Sequence, residues 1–483
     1  MTDVKTESRT FLGHPRGLAN LFGVEMWERF SFYGMQGILT IYLYYSAAEG
    51  GLGLSEATAT SIVGAYGGLV YLSTVVGAWL ADRIIGSERV LFFSAILIMF
   101  GHIALAVLPG FTGVGVGLAA VALGSGGLKA NATNLVGALY ATGDERRDAG
   151  FSIFYLGINL GAFVGPLLTG LAQKNLGFHY GFGLAAVGMA VGLTQYSFGR
   201  KNLSPDSNAV PNPLPAQRRL LFAVVALVAV AAIVVLVLAG VITAANLAVV
   251  TIGIVLVASI AYFAVILSSK RVTSLERSRV YSFIPMFLAS FVFFALFQQQ
   301  FTVVTIYVDQ RLDRSILGWE MPVSWANSIN PIFIIVLAGV FAALWTRLGS
   351  RQPSTPIKFA LGTIVMGAAF MLFLPLSGGG PASTPLLALA GILLLFTIAE
   401  LLLSPVGLSL STKLAPRSFR TQMVALNFLS IALGTATAGA LAKYYDPGDE
   451  VPYFALVGGV AVAFGLILAL VSPLIRRLMR GVH

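Results

Sequence analysis

The chain has 483 residues, of which 57% are hydrophobic and 10% charged, and its net charge is +10. An ordinary soluble domain carries about 25% charged residues, so this composition excludes a soluble globular protein. Cysteine is absent and the four histidines show no metal-ligand spacing, which excludes a disulfide scaffold, thiol catalysis and an obvious metal centre.

Apolar stretches long enough to cross a hydrocarbon core of about 30 Å recur along the whole length. Backbone polar groups cannot face lipid unpaired, so such spans are helices or a closed barrel. These runs are long and lack period-two alternation, which leaves helices. The N-terminal stretch "MTDVKTESRTFLGHPRG" is polar and lacks the short apolar core and cleavage site of a removable signal peptide. The expected class is an all-α integral membrane protein.

Fourteen transmembrane helices are expected at residues 17–46, 55–82, 88–109, 112–140, 147–174, 180–200, 217–241, 247–270, 277–308, 322–348, 356–378, 384–413, 418–443 and 452–476. Connections are short and marked by Gly, Pro or charge, as in "GDERRD" and "LAPRSFR". With these spans, only Lys174, Arg311, Arg314 and Lys443 fall on the side opposite the N-terminus, and Arg29 and Lys129 fall in mid-span. All the other Lys and Arg residues, among them Arg83, Arg89, Arg146, Arg147, Lys270, Arg271, Arg277, Arg279, Arg417 and Arg476, lie on the N-terminal side. The positive-inside rule then places both termini in the cytoplasm. The positive balance is a topology signal, and no nucleic-acid partner is expected.

A charge at mid-bilayer costs ~2.5–3.5 kcal/mol on insertion scales and commonly marks a pathway. In the first helix, "EMWERFSFYG" carries Glu25, Glu28 and Arg29 at i, i+3 and i+4. That spacing puts all three on one face, which Phe22, Tyr33 and Gln36 extend. An ion-pair cluster that only joins helices is the plainer reading, although small or neutral polar residues usually do that in membranes. In the fourth helix, Lys129 ends the glycine-rich run "GLAAVALGSGGLK" and is followed by Asn131 and Asn134; a lysine there needs an anion, from the protein or from a substrate. Asn159 lies in the fifth helix. In the ninth, Gln298, Gln299 and Gln300 form an unusual polar run, and Asn327 and Asn330 precede Pro331 in the tenth. Glu400 stands alone in the apolar twelfth helix, with Pro405 five residues on to bend or weaken it.

If the pair of spans at 217–270 is an insertion, the polar groups fall on core helices 1, 4, 7 and 10. That recurrence fits two six-helix halves built from three-helix repeats. The expected domains are an N-terminal six-helix bundle at 1–205, a two-helix insertion with linkers at 206–275, and a C-terminal six-helix bundle at 276–483.

Three motifs carry a resemblance. "GAWLADRIIGSER" (Gly77 to Arg89) resembles the cytoplasmic loop signature of the major facilitator superfamily. "EMWERFSFYG" resembles the ExxERFxYYG motif of the proton-dependent oligopeptide transporter (POT/PTR) family, and "FSIFYLGINLGAFVGP" (Phe151 to Pro166) is similar to that family's fifth-helix signature. The likeness covers essentially the whole chain, and the chain is identified as a bacterial-type member. The resemblance implies a proton-coupled symporter that imports di- and tripeptides by alternating access across the cytoplasmic (inner) membrane of a bacterium. Its partners would be peptides, protons and the lipid bilayer; it would act as a monomer, with no cofactor and no enzymatic activity. Carried over, it gives Arg29 and Lys129 to the peptide carboxylate, Glu400 with Asn159 and Asn330 to the amino group, and Glu25 and Glu28 to proton coupling. Tyr33 and Tyr71 match tyrosines that line the family's site.

The chain departs from the family pattern at Gln298, where members often have an acid, and at Gly64, Phe32 and Asn427. Two other classes stay open. A related carrier could move another small anion or a drug-like substrate, although a pure anion carrier has no use for Glu400. A transporter-like receptor would need an added soluble domain, and no loop exceeds roughly twenty residues.

Overall fold

The computed structural model describes residues 10–141 and 144–482. Residues 1–9, which include most of the polar N-terminal stretch, and the first residue of "GDERRD" lie outside them. The described chain is helical almost throughout. The helices are α1 (Arg16–Tyr44), α2 (Glu56–Leu80), α3 (Ser87–Val107), α4 (Gly110–Ala138), α5 (Arg146–Leu176), α6 (Phe178–Gly199), α7 (Ala216–Leu238) and α8 (Leu247–Ser268). They continue as α9 (Ser274–Phe297), α10 (Val303–Arg311), α11 (Ile329–Leu348), α12 (Thr355–Met371), α13 (Leu386–Lys413), α14 (Arg420–Leu441) and α15 (Val451–Leu478). α9 and α10 form one interrupted span, so the described residues hold fourteen long helices in the positions expected from the apolar runs. Twelve of these are long and apolar enough to cross a membrane. The other two are α1, which carries the charge cluster, and the glycine-rich α6.

The chain forms two compact units. The first comprises residues up to Met35 together with Ser73–Ala239; the second comprises Gln36–Leu72 and Gly240 onwards. Both α1 and α2 therefore contribute to each.

In the first unit α3 packs along α4 and α6, and α5 packs on α6. α1 closes against α5 through glycines. A Cβ at Gly161 would sit 2.1 Å from the Met26 carbonyl oxygen and 2.9 Å from the Phe30 nitrogen, so backbone meets backbone there. This close approach holds α1, and with it the charged face, at a fixed height in the unit. α7 leaves its whole surface exposed, as befits a helix that is apolar all round and solvated by lipid.

In the second unit α9 packs with α12, α14 and α15, α13 with α11 and α12, and α8 with α14. The C-terminal part of α1 and the N-terminal part of α2, within Gln36–Leu72, belong here. Gly64 of α2 meets Gly439 of α14 so closely that a Cβ would lie 2.5 Å from the Gly439 Cα. The tyrosines at the end of α1 donate to one carboxylate at the end of α10: Tyr44 to Asp309 Oδ2 at 2.5 Å and Tyr45 to Asp309 Oδ1 at 2.7 Å. Beside them Gln310 donates to Glu56 at 2.6 Å.

The ninth predicted helix differs from expectation. Gln298–Phe301 is a 3-10 turn, and Thr302 leaves helical geometry altogether at φ −124°, ψ −98°. The Thr40 hydroxyl of α1 donates to the Phe301 carbonyl at 2.5 Å, which satisfies an acceptor that the break frees. By contrast α13 runs unbroken through Pro405.

Substituting Gly161 with valine forces overpacking at a backbone contact, which costs about 1–3 kcal/mol. The melting temperature of the detergent-solubilised variant should fall clearly. Gly115→Ala, at a position with nothing within 4 Å of a Cβ, is the control and should melt like the parent.

Candidate functional site

The face predicted on α1 forms. Arg29 donates from Nε to Glu25 Oε1 at 2.8 Å, and its Nη2 also reaches that oxygen. Its Nε lies 3.4 Å from Glu28 Oε2, and Lys129 Nζ lies 3.6 Å from Glu28 Oε1. Glu25 and Glu28 are 1% and 0% exposed. Two acids and two bases thus share one buried cluster, and their formal charges cancel. This is the arrangement that makes buried charge tolerable, because each ion lost from water regains an opposite charge.

The hold on the two cations is unequal. Arg29 is bound to Glu25 by charge-assisted hydrogen bonds, the strong kind. Lys129 has an ion pair at a distance too long for a hydrogen bond, and its ammonium makes no hydrogen bond among the described residues. It sits 4.2 Å from the Phe32 ring centroid, a cation–π contact that partly replaces lost hydration.

Two participants were not singled out in the sequence. Ser125, four residues before Lys129 on the same face of α4, donates to Glu28 Oε1 at 2.8 Å. His102 of α3 is fully buried and interacts electrostatically with Glu28. A histidine inside an apolar run is legible by the same rule that flagged the charges. A serine among glycines carries no such signal.

Glu400 lies in the second unit on α13. The Asn330 amide, in the first turn of α11, donates to its Oε2 at 3.3 Å and to the Thr397 hydroxyl at 3.1 Å. Thr397 in turn donates to the Leu393 carbonyl. Glu400 therefore has a neutral donor and, among the described residues, no ion pair. Asn159, on α5 of the first unit, is buried and donates to the Tyr155 carbonyl of its own helix at 2.9 Å. Tyr33 is half-buried and stands edge-on to Phe32, and Tyr71 is half-buried on α2. Gln298 and Gln300 are buried in the 3-10 turn, and Gln299 accepts from the Tyr453 hydroxyl at 2.8 Å.

The model of the POT family matches residues 88–457. The chain belongs to the POT family. It is 39% identical to a di-/tripeptide transporter of Lactococcus lactis subsp. cremoris, with 100% of each chain covered. It is 41% identical to the uncharacterized transporter YclF of Bacillus subtilis (strain 168), over 98% of this chain and 96% of the relative. Among solved structures, a peptide transporter POT in complex with sulfate superimposes with a TM-score of 0.93 at 45% identity, covering 98% of both chains. A POT family transporter in complex with 5-aminolevulinic acid gives a TM-score of 0.91 at 36% identity, covering 97% of this chain and 98% of that one. This POT-family chain is a multi-pass membrane transporter with the fold of the major facilitator superfamily.

The unequal hold makes a stability prediction for the family member in hand. Arg29→Ala leaves the Glu25 carboxylate without a hydrogen-bond donor among the described residues and should cost about 3 kcal/mol or more, as breaking a buried pair does. Lys129→Ala leaves Glu28 with Ser125 and Arg29 and should cost clearly less. Thermal unfolding in detergent at pH 7 compares them; equal losses would contradict the ranking.

Proposed function

We propose that this POT-family member is a proton-coupled symporter that imports di- and tripeptides across the cytoplasmic membrane by alternating access. The observation that carries this reading is the weak hold on Lys129 inside a neutral, buried cluster. Arg29 and Lys129 take the peptide carboxylate, and Lys129 is the cation set free first. Glu400, steadied by Asn330, takes the peptide ammonium, and Asn159 offers its carboxamide oxygen to the same group. Tyr33 and Tyr71 line the peptide. The 39% identical di-/tripeptide transporter supports the substrate class. The ligand named for another relative, 5-aminolevulinic acid, likewise carries an amine at one end and a carboxylate at the other.

The cycle follows from exchange of partners. A proton taken by Glu28 cancels its attraction for Lys129, and the freed ammonium binds the incoming carboxylate. Glu25 provides the second carboxylate of the coupling cluster and keeps Arg29 in place. When the proton leaves towards the cytoplasm, Glu28 reclaims Lys129 and the peptide loses its counter-ion. Coupling arises because the peptide has different affinities for the two states. Recognition of the two main-chain termini leaves side chains free to vary, which suits a mixed peptide diet.

The Lys and Arg distribution supports cytoplasmic termini; the bacterial inner membrane and action as a monomer rest on the family resemblance. Because the chain has no cysteine, single cysteines report sidedness without background. Glu145→Cys should react only from the cytoplasmic side and Asp313→Cys only from the opposite side.

Proteoliposomes test transport directly. An inward proton gradient should drive labelled dialanine uptake, a protonophore should abolish it, and free dipeptide but not N-acetylated, amidated dipeptide should compete. Glu28→Gln should lose gradient-driven accumulation by tenfold or more. Undiminished accumulation in both Glu25→Gln and Glu28→Gln would refute coupling at α1, and no uptake in active liposomes would refute the peptide substrate.

A further inference from the structure

α3 carries a titratable group that the proposed cycle does not use. His102 is 0% exposed, and neither ring nitrogen has a hydrogen-bond partner among the described residues. A buried polar group left unpaired is costly and rare. Its retention therefore asks for a state in which it is paired.

The packing says with what. Ile98 lies against Gly124, and Gly101 and Leu105 lie against Gly117. His102 stands four residues after Ile98 and three before Leu105, so it shares the stripe that α3 lays on α4. Ser125 follows Gly124 on that stretch of α4 and holds Glu28. Glu28 is the charged group of the described residues that acts on His102. Around it, Lys129 and Arg29 face Glu28, Arg29 also holds Glu25, and His179 of α6 is engaged one turn away with the Leu105 carbonyl at 3.1 Å.

The chemistry at Glu28 changes during the cycle. As a carboxylate it only accepts, and Ser125 and Lys129 both serve Oε1, while Oε2 has no hydrogen bond. Once protonated it becomes a donor. Lys129 then offers that hydroxyl nothing, since an ammonium cannot accept; Ser125 can accept only by reversing its present bond to Oε1, which leaves Oε2 still without a partner among the described residues. The unprotonated nitrogen of a neutral imidazole is the strongest neutral acceptor in this part of the unit.

We propose that His102 is a positioning residue for the coupling proton, its free ring nitrogen accepting the hydrogen bond from the Glu28 carboxylic acid in the state that Lys129 has left. No proton moves to the ring: the proton binds Glu28, is held by the contact, and leaves from Glu28. This rests on the symport reading and adds to it a residue that sets the pH at which Glu28 loads. A contact made only with the protonated acid favours loading; without it, loading needs more acid.

The test uses the full chain with His102→Leu, which removes the acceptor, and His102→Asn, which keeps one. In proteoliposomes the external pH giving half-maximal dialanine uptake should drop by about 0.5–1 unit in His102→Leu, the worth of one buried hydrogen bond, and by less in His102→Asn. A purely structural role would lower the rate alike at every pH and leave that midpoint in place, which would overturn the proposal. Infrared difference spectra supply a readout without peptide. The carboxylic C=O band assigned by its loss in Glu28→Gln should move to higher frequency in His102→Leu. A band that stays put in both folded variants refutes the contact. If the parent protein moves no dipeptide, the symport reading fails, while the band still decides the contact; if His102→Leu does not fold, His102→Phe, which also lacks an acceptor, decides it.

Discussion

Everything at this site depends on the cost of burying charge. Four ionised groups stand together on α1 and α4 with their charges summing to zero. Removing one partner of such a group costs about 3–5 kcal/mol, yet replacing all of it with well-packed apolar residues is often neutral or stabilising. Stability therefore explains why the cluster is balanced and not why it is there. A balanced set of charges has one property that an apolar core lacks: its partners can be exchanged for outside ions of the same sign. A proton and a peptide carboxylate are two such ions, and the looser cation is the one that an exchange can reach first.

The contrast with Glu400 sharpens this. It is held by the Asn330 amide, a neutral donor that supplies no counter-charge. Under the proposed reading the two groups take opposite ends of a peptide: an anionic end suits the cations of the cluster in the first unit, and a cationic end suits Glu400 of the second.

The helices were largely legible because lipid imposes one rule, satisfaction of every backbone group within the span, and long apolar runs report it directly. The cluster was legible for the same reason, since Glu25, Glu28, Arg29 and Lys129 violate the expected composition where violation is most expensive. Other features depend on tertiary partners that no local pattern carries. The break at Thr302 has no proline or glycine beside it, and it is supported by Thr40, some 260 residues away. Pro405, a local signal for interruption, sits inside a continuous helix, because the loss of one donor can be absorbed where neighbouring elements pack. Ser125 was hidden in a glycine-rich run, and no local pattern tells that the Asn159 N–H is engaged within its own helix.

α1 is the element through which these parts can act on each other. Its residues up to Met35 belong to one compact unit and those from Gln36 to the other, yet it is one uninterrupted helix from Arg16 to Tyr44. At a rise of 1.5 Å per residue, Tyr44 stands about 22 Å along the axis from Arg29. One end of this rod carries the charges whose pairing the proposed cycle changes. The other ends in two tyrosine hydroxyls fixed to Asp309, with Thr40 fixed to the broken turn between α9 and α10. A rotation at one end that the helix does not absorb by bending or twisting is presented at the other. An exchange of partners at Glu28 that turned α1 would therefore load the hydrogen bonds at Tyr44, Tyr45 and Thr40, which are directional and weaken steeply with misalignment. A local exchange of charge at Glu28 would thus be felt at Tyr44, Tyr45 and Thr40 through the continuous helix that carries Glu28, Thr40 and Tyr44 and adjoins Tyr45.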